Sequence, residues 1–251
     1  MFGRKTKIGH VGTLDSTASG LLLVLVGQAT RLSNFVMDLP KRYEAEIEFG
    51  SATTTDDASG EVTERASWEH IDDAIIDGAL CSFMGWRMQS PPAVSAVHID
   101  GERAHTLARS GRAVVPDPKP VCFLNITRLS TIDEKGLVRF RIDCRKGTYI
   151  RSFARDLGVR LGTFAHVKSL NRVSSGPFSA DNARSADELF SMSRDMLESE
   201  MIPLSNIAEL FAGYEADEEA FENLRCGRKV TLDTLKRRPT AGRMFFSGRL
   251  I

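Results

Sequence analysis

Apolar and polar residues alternate from Lys41 to Gly50, with Tyr43, Ala45, Ile47 and Phe49 on one side. That two-residue period is the mark of a strand with one buried face. Its partner strand is expected beyond the turn-rich stretch 51–61. Upstream, Leu21 to Val26 is a short apolar run, well below the roughly 18 residues of a membrane span, and reads as a buried strand. From Gln28 the spacing turns helical: Leu32, Phe35, Val36 and Leu39 share a face, and Pro40 closes the segment. Residues 68–88 carry a second helical pattern through Ile71, Ala74, Ile75, Ala79 and Phe83. Val121 to Ser130 and Leu137 to Cys144 are strand-like, joined by the polar hairpin connection Ile132 to Gly136. After a Gly147-Thr148 turn, an amphipathic helix presents Phe153, Leu157 and Leu161. From Ala186 the pattern is acidic and helical, and a further helix from Asp217 ends in Cys226-Gly227-Arg228-Lys229-Val230.

A chain of 251 residues holds one large domain, or one plus a small appendage, with a sizeable core. Hydrophobic residues make up 42% and charged residues 26%, as in ordinary globular proteins. The absence of a signal-peptide pattern points to the cytoplasm. Cysteines 81, 122, 144 and 226 are too widely spaced for a Cys-x-x-Cys site and read as reduced thiols. Histidines 10, 70, 98, 105 and 166 show no metal-ligand spacing. Net charge is zero, but the charges are segregated: residues 41–73 carry 3 basic and 10 acidic side chains, whereas 139–184 carry 10 and 3. The tail 224–251 carries 8 basic and 1 acidic. Such blocks can build a basic face for nucleic acid on a neutral protein, or simply be solvated surface.

The candidate chemistry sits in Lys7-Ile8-Gly9-His10-Val11-Gly12-Thr13-Leu14-Asp15-Ser16-Thr17-Ala18-Ser19-Gly20. A polar loop punctuated by glycine delivers one carboxylate immediately before an apolar run. Asp15 reads either as a turn or capping aspartate or as a functional acid on an anchored loop.

This stretch resembles the catalytic motif of the TruB family of tRNA pseudouridine synthases, a Gly-His-x-Gly-Thr-Leu-Asp loop that carries the nucleophilic aspartate. Gly9, His10, Gly12, Thr13, Leu14, Asp15, Ala18 and Gly20 match, and Val11, Ser16, Thr17 and Ser19 depart. Gly50, Thr53, Thr55, Asp57 and Gly60 are similar to a second family segment. Gln89-Ser90-Pro91-Pro92-Ala93-Val94-Ser95-Ala96 and the stretch from Gly101 to Gly111 resemble an RNA-gripping insertion, with His105 in place of a tyrosine. Lys146-Gly147-Thr148-Tyr149-Ile150-Arg151 matches a third motif, and Leu161-Gly162, Ala165-His166, Leu170, Arg172 and Ser175-Gly176 continue the likeness.

The resemblance implies that Asp15 is the nucleophile and Arg151 its ionic partner. It implies that Tyr43 stacks on the target uracil and sits near the sugar as a candidate proton acceptor, that Tyr149 and Leu170 line the pocket, and that His10 helps hold a flipped-out nucleotide. Each has a plainer reading: Arg151 as a surface arginine, Tyr43 as a strand-core tyrosine, Tyr149 and Leu170 as packing residues. Isomerisation is redox-neutral, so neither cofactor nor metal is expected.

The implied fold is α+β: a pseudouridine synthase fold with a mixed, mostly antiparallel sheet, an insertion near 89–115 and a small C-terminal appendage. Residues 1–184 would form the catalytic domain, and 185–251 a helical connection and a short RNA-binding-like domain. Family members usually carry an N-terminal strand and an Asp-Lys-Pro-x-Gly type segment ahead of the Asp loop. Here Met1 to Lys7 is a short basic lead-in, so the start codon is placed late or the sheet lacks an edge. The implied activity is conversion of uridine 55 in the tRNA T arm to pseudouridine by a cytoplasmic monomer. The alternatives are a synthase for another RNA and a non-catalytic tRNA-binding or RNA-folding protein.

Overall fold

The structure is a computed structural model. It describes residues 5–95, 98–99, 102–103, 116–208, 210, 212–215, 218–226, 228, 242–246 and 249–250. The chain divides into two units, one of residues 8–25 and 30–183, the other of residues 1–7, 26–29 and 184–251.

In the first unit, β1 (Ile8–Val11), β2 (Ala18–Gly20) and β3 (Leu23–Val26) surround the Asp15 loop and precede α1 (Ser33–Asp38) and β4 (Lys41–Phe49). Next come β5 (Ser51–Thr53), β6 (Val62–Arg65), α2 (Asp73–Leu80), β7 (Gly85–Gln89), β8 (His98–Ile99) and β9 (Glu102–Arg103). The unit closes with β10 (Lys119–Arg128), β11 (Leu137–Cys144), α3 (Ile150–Arg160), β12 (Ala165–Ser175) and β13 (Phe178–Ser179). The main sheet has seven strands in the order β13-β12-β4-β11-β10-β7, with β2 added to β12. Only the β2–β12 pairing is parallel, so the sheet is mixed and mostly antiparallel.

The period-two pattern of β4 does what it predicts. Ala45, Ile47 and Phe49 are buried on one face, and Glu44, Glu46 and Glu48 turn to the other. The inner face packs with Val138, Phe140 and Ile142 of β11 and with α2 and α3. Across the outer face run the ion pairs Arg42–Asp143, Arg141–Glu44 and Lys168–Glu48. Pairs this exposed contribute little to stability; burial of the other face supplies most of it.

Four sequence expectations need correction. The run Leu21 to Val26 is not a fully buried strand, because β3 pairs only with β1, and a two-stranded ribbon covers one face. Leu21 and Leu25 are buried, whereas Leu22 and Val24 are exposed. The partner of β4 does not follow it in sequence: β4 lies between β11 and β12, and β6 folds back onto β5 instead. The backbone bond from Thr54 N–H to Glu61 C=O, 2.9 Å, closes that turn.

The helix expected over 68–88 is shorter. Asp72 caps α2 by accepting from the Ile75 N–H at 2.8 Å, which places Ile76, Ala79 and Leu80 inward and leaves Ala74 and Ile75 exposed. The following Trp86-Arg87-Met88 joins the sheet edge as β7. The helix expected over 28–39 is a 3-10 turn over 27–32 followed by α1, with Val36 alone fully buried. The strands near 121–130 and 137–144 and the helix after Gly147 agree with their patterns.

Phe153 of α3 is the hub of the core. It is fully buried and meets the rings of Phe83, Phe123 and Phe140 at centroid distances of 5.1, 5.4 and 6.2 Å. One ring therefore joins the β7 side, β10 and β11 to the helix that carries Arg151.

The second unit contains α4 (Ala186–Ser191), α5 (Arg194–Glu200), α6 (Leu204–Ala208) and α7 (Glu218–Arg225). It also has a three-stranded sheet of β14 (Ala212–Glu215), β15 (Gly242–Phe246) and β16 (Arg249–Leu250). A capping box of Ser185 and Glu188 opens α4. Residues 229–241, much of the expected RNA-binding tail, lie outside the described residues. No helix among the described residues is long and apolar enough to cross a membrane.

Phe153→Ala should lower unfolding stability by about 3–5 kcal/mol, the usual result of emptying an aromatic core site. Urea denaturation checks this; a loss below about 1 kcal/mol would show that Phe153 is not the hub.

Candidate active site

The backbone between β1 and β2 forms a loop closed by the Ala18 N–H, which donates to the Asp15 C=O at 3.0 Å. Its ends are held by two strands, so Asp15 hangs from anchored backbone and stays 34% exposed at the side chain. On the other side of the site, the turn ahead of α3 is tightened by Thr148 Oγ1 donating to the Arg145 C=O at 2.9 Å. Tyr149 takes the N-cap position, and Gln89 clamps its peptide from both sides: Nε2 donates to the Tyr149 C=O at 3.1 Å and Oε1 accepts from its N–H at 2.9 Å. Arg151 therefore leaves the first turn of α3 in a defined direction.

Asp15 and Arg151 meet in a bidentate pair. Arg151 Nε donates to Asp15 Oδ2 and Nη2 to Asp15 Oδ1, both at 2.8 Å. The fork matches the planar guanidinium to both carboxylate oxygens, the strong form of this contact. The Arg151 side chain is only 6% exposed, and its remaining nitrogen is satisfied by the carbonyls of Thr55 (2.9 Å) and Val94 (3.1 Å). Four bonds to three parts of the chain fix the arginine and aim the carboxylate.

A second carboxylate, Asp57, lies 3.7 Å from Arg151 Nε. Its Oδ1 accepts from Thr55 Oγ1, Ser59 N–H and Ser59 Oγ, and its Oδ2 accepts from Thr17 Oγ1 of the Asp15 loop at 3.2 Å. Burial works against its charged form, but the bonds from Ser59 and Thr55, with the nearby Arg151, hold its carboxyl below the usual range. The preceding residue, Asp56, has φ +59°, a left-handed conformation that aspartate tolerates better than most residues. Arg155 holds it there, donating to Asp56 Oδ2 and to the Ser90 C=O, each at 2.9 Å.

Tyr43 projects from the inner face of β4, and burial pushes its phenol up against a hydrogen bond from Arg172. Burial also raises the Tyr149 phenol, and the Asp15 charge adds to that rise, so this ring lies within electrostatic reach of the carboxylate. Leu170 is buried on β12, opposite Ala18 of β2 and Ala45 of β4. His10 is exposed on β1 and makes no hydrogen bond or ion pair among the described residues. The structure thus brings Asp15 and Arg151 into contact, sets Tyr43 and Tyr149 near the charge, places Leu170 opposite Ala18 at the end of the loop and leaves His10 exposed on the strand that leads into it. Most of the insertion expected near 89–115, His105 included, lies outside the described residues. Among the described residues, no group of His, Cys, Asp or Glu side chains could hold a metal.

Four residues without a role in the sequence reading belong to this site: Asp57, Gln89, Lys41 and Arg172. A signal existed for the two cations. Lys41 falls in phase with the apolar side of β4, and Arg172 falls in phase with Leu170 on β12; both are buried. Lys41 Nζ donates to the carbonyls of Met37 and of Leu39, the latter at 2.7 Å.

The fold defines the class first. It is the α+β pseudouridine synthase fold, shared with a solved Cbf5-Nop10-Gar1 complex at TM-score 0.65 and 24% identity, over 88% of this chain and 59% of that one. A solved H/ACA RNP bound to a substrate RNA containing 2′-deoxyuridine matches at TM-score 0.67 and 20% identity, over 98% of this chain and 68% of that one. Residues 1–150 match the profile of the TruB family pseudouridylate synthase (N terminal domain). The tRNA pseudouridine synthase B of Anaplasma marginale is 42% identical over 228 residues, covering 90% of this chain and 74% of that protein. That of Streptococcus thermophilus is 36% identical over 231 residues, covering 91% and 79%. The chain belongs to the TruB family.

Burial, followed by the charge of Arg172, brings the Lys41 ammonium down from 10.5 to about 8. Between about pH 8 and 10.5 the unfolded chain keeps a proton that the folded chain has released, so this site makes stability rise with pH across that window. Lys41→Met should flatten the rise; urea midpoints measured at pH 7 and pH 10 check it, and an unchanged pH slope would refute it.

Proposed function

We propose that this chain is a tRNA pseudouridine synthase that isomerises uridine 55 of the T arm, with Asp15 as nucleophile. The observation that carries the reading is the bidentate Asp15–Arg151 pair in a TruB-family chain. Relatives named tRNA pseudouridine synthase B support tRNA as the substrate class.

The reaction breaks an N-glycosidic bond, turns the uracil and rejoins it to the sugar through C5, whose proton is released. Asp15 is suited to attack on the flipped nucleotide because the Arg151 fork fixes the direction of its carboxylate. The phenol of Tyr43, kept protonated by burial, offers a ring face for the base rather than a proton acceptor near neutral pH. Tyr149 supplies a second wall, and Leu170 supports the loop from beneath. His10, exposed five residues ahead of Asp15, is available to the RNA strand around the flipped nucleotide. Extrusion of the base costs a few kcal/mol, which stacking offsets. No step requires a cofactor. A monomer suffices, since Asp15 and Arg151 come from one chain.

Release of tritium from tRNA labelled at uracil C5 tests the reading. Wild type should release label, and Asp15→Asn should lose the rate by roughly 10⁴-fold or more while still binding tRNA. Arg151→Ala should slow turnover by roughly 10²-fold with a far smaller change in binding. tRNA in which position 55 is cytidine should release nothing. Binding without release in the wild type would leave only an RNA-binding role, and release from the position-55 variant would move the target elsewhere. Affinity for tRNA should also fall steeply with added salt; a flat response would contradict a basic RNA-binding face.

A further inference from the structure

Arg172 is 2% exposed, and among the described residues no carboxylate pairs with it. Its guanidinium is spent on neutral acceptors. Nε donates to the Leu21 C=O at 2.7 Å and Nη2 to the Gly12 C=O at 2.9 Å, and its charge acts on the phenol of Tyr43, the residue it faces across the sheet. Gly12 and Leu21 bracket residues 13–20, the loop that carries Asp15. The backbone of Arg172 grips the same place, since its C=O accepts from the Leu21 N–H at 2.8 Å. In the sheet Arg172 lies opposite Tyr43 of β4 on one side and Gly20 of β2 on the other.

Two glycines of the loop are shaped around this residue. Gly12 has φ +72°, and a Cβ there would stand 3.3 Å from Arg172 Nη1; Gly20 has φ +100°, and a Cβ would meet the Arg172 C=O at 2.4 Å. A side chain at Gly20 is therefore excluded by backbone that cannot move aside, and at Gly12 it would press on the guanidinium. A buried cation is expensive unless every donor is satisfied. An apolar residue would pack the core more cheaply, and Leu170 on the same face does so.

We infer that Arg172 is a positioning residue, which sets the loop that presents Asp15 and the ring of Tyr43 relative to one another through one guanidinium. Arg151 aims the carboxylate from the first turn of α3, whereas Arg172 fixes the loop backbone from within the sheet, opposite Tyr43. The inference rests on the reading of Asp15 as nucleophile and Tyr43 as base platform. It concerns a residue that touches neither the nucleotide nor the reacting atoms.

The test uses the full chain with Arg172→Lys, which keeps a cation but not the fork, and Arg172→Met, which keeps the stem alone. Single-turnover tritium release should fall roughly 10²-fold in both, the usual result of misplacing reacting groups by about an ångström, with tRNA affinity changed by less than about threefold. Arg172→Ala should regain part of its rate in millimolar guanidinium. Amide hydrogen exchange should quicken over residues 13–20 in Arg172→Lys while β4 and β11 keep their protection. A folded variant with wild-type rate and wild-type exchange overturns the inference. So does a parallel loss of rate and tRNA affinity, or failure of both variants to fold, which would make Arg172 a stability residue. An inactive wild type overturns the functional reading instead, and the exchange measurement, which needs no turnover, then decides whether Arg172 holds the loop.

Discussion

Everything near the site converges on one buried guanidinium. Arg151 has to place all its donors because its side chain has little access to water, and an unmet donor there would cost on the order of 1–3 kcal/mol. The acceptors come from three separate segments: the Asp15 loop, the turn that holds Thr55 and, more distantly, Asp57, and the Val94 carbonyl beyond β7. Other bonds support the same approach: Thr17 of the Asp15 loop donates to Asp57, and Arg155 ties Asp56 to the Ser90 carbonyl. The arginine is the point where all three meet, and the carboxylate it aims stays partly open to solvent.

Beneath that pair the sheet buries two cations, Lys41 and Arg172, where an apolar residue would be expected. Both cations bond to backbone carbonyls rather than to carboxylates. In a low-dielectric interior such bonds are stiff, and half-satisfied ones are costly. The site thus has a cationic, hydrogen-bonded floor under an acidic loop, while the neighbouring core around Phe153 is built from rings and aliphatic side chains. Rigidity from the aromatic cluster reaches the site through α3, whose buried face holds Phe153 and whose first turn holds Arg151. The TruB-family membership and the shared fold place this arrangement among RNA-modifying enzymes, and the floor explains why its loop needs glycine on both sides of Asp15.

The strands at β4, β10 and β11 and the helix α3 were legible because each has a complete period of its own and a turn at its end. Legibility failed where exposure depends on something distant. The run at Leu21 to Val26 is apolar throughout, yet Leu22 and Val24 are exposed because β1 is the only strand that pairs with β3 among the described residues. The pattern at 68–88 joins a helix to an edge strand, and a helical ruler laid across both mistook Ala74 and Ile75 for core. The neighbour of β4 was misplaced for the same reason, since sheet order is not written in adjacent residues.

What the sequence by itself determined is local: the periods of strand and helix, a carboxylate on a glycine-bounded loop, and a set of motifs similar to one family. These are settled within a dozen residues by backbone sterics and side-chain patterning. The resemblance implied that Asp15 and Arg151 pair, but only the tertiary structure brought them together across a separation of 136 residues, set Asp57 beside the same guanidinium and turned Arg172 inward to hold Gly12 and Leu21. The reason is that strand order sets which distant segments meet, and a buried charge can choose its acceptors only after they have met.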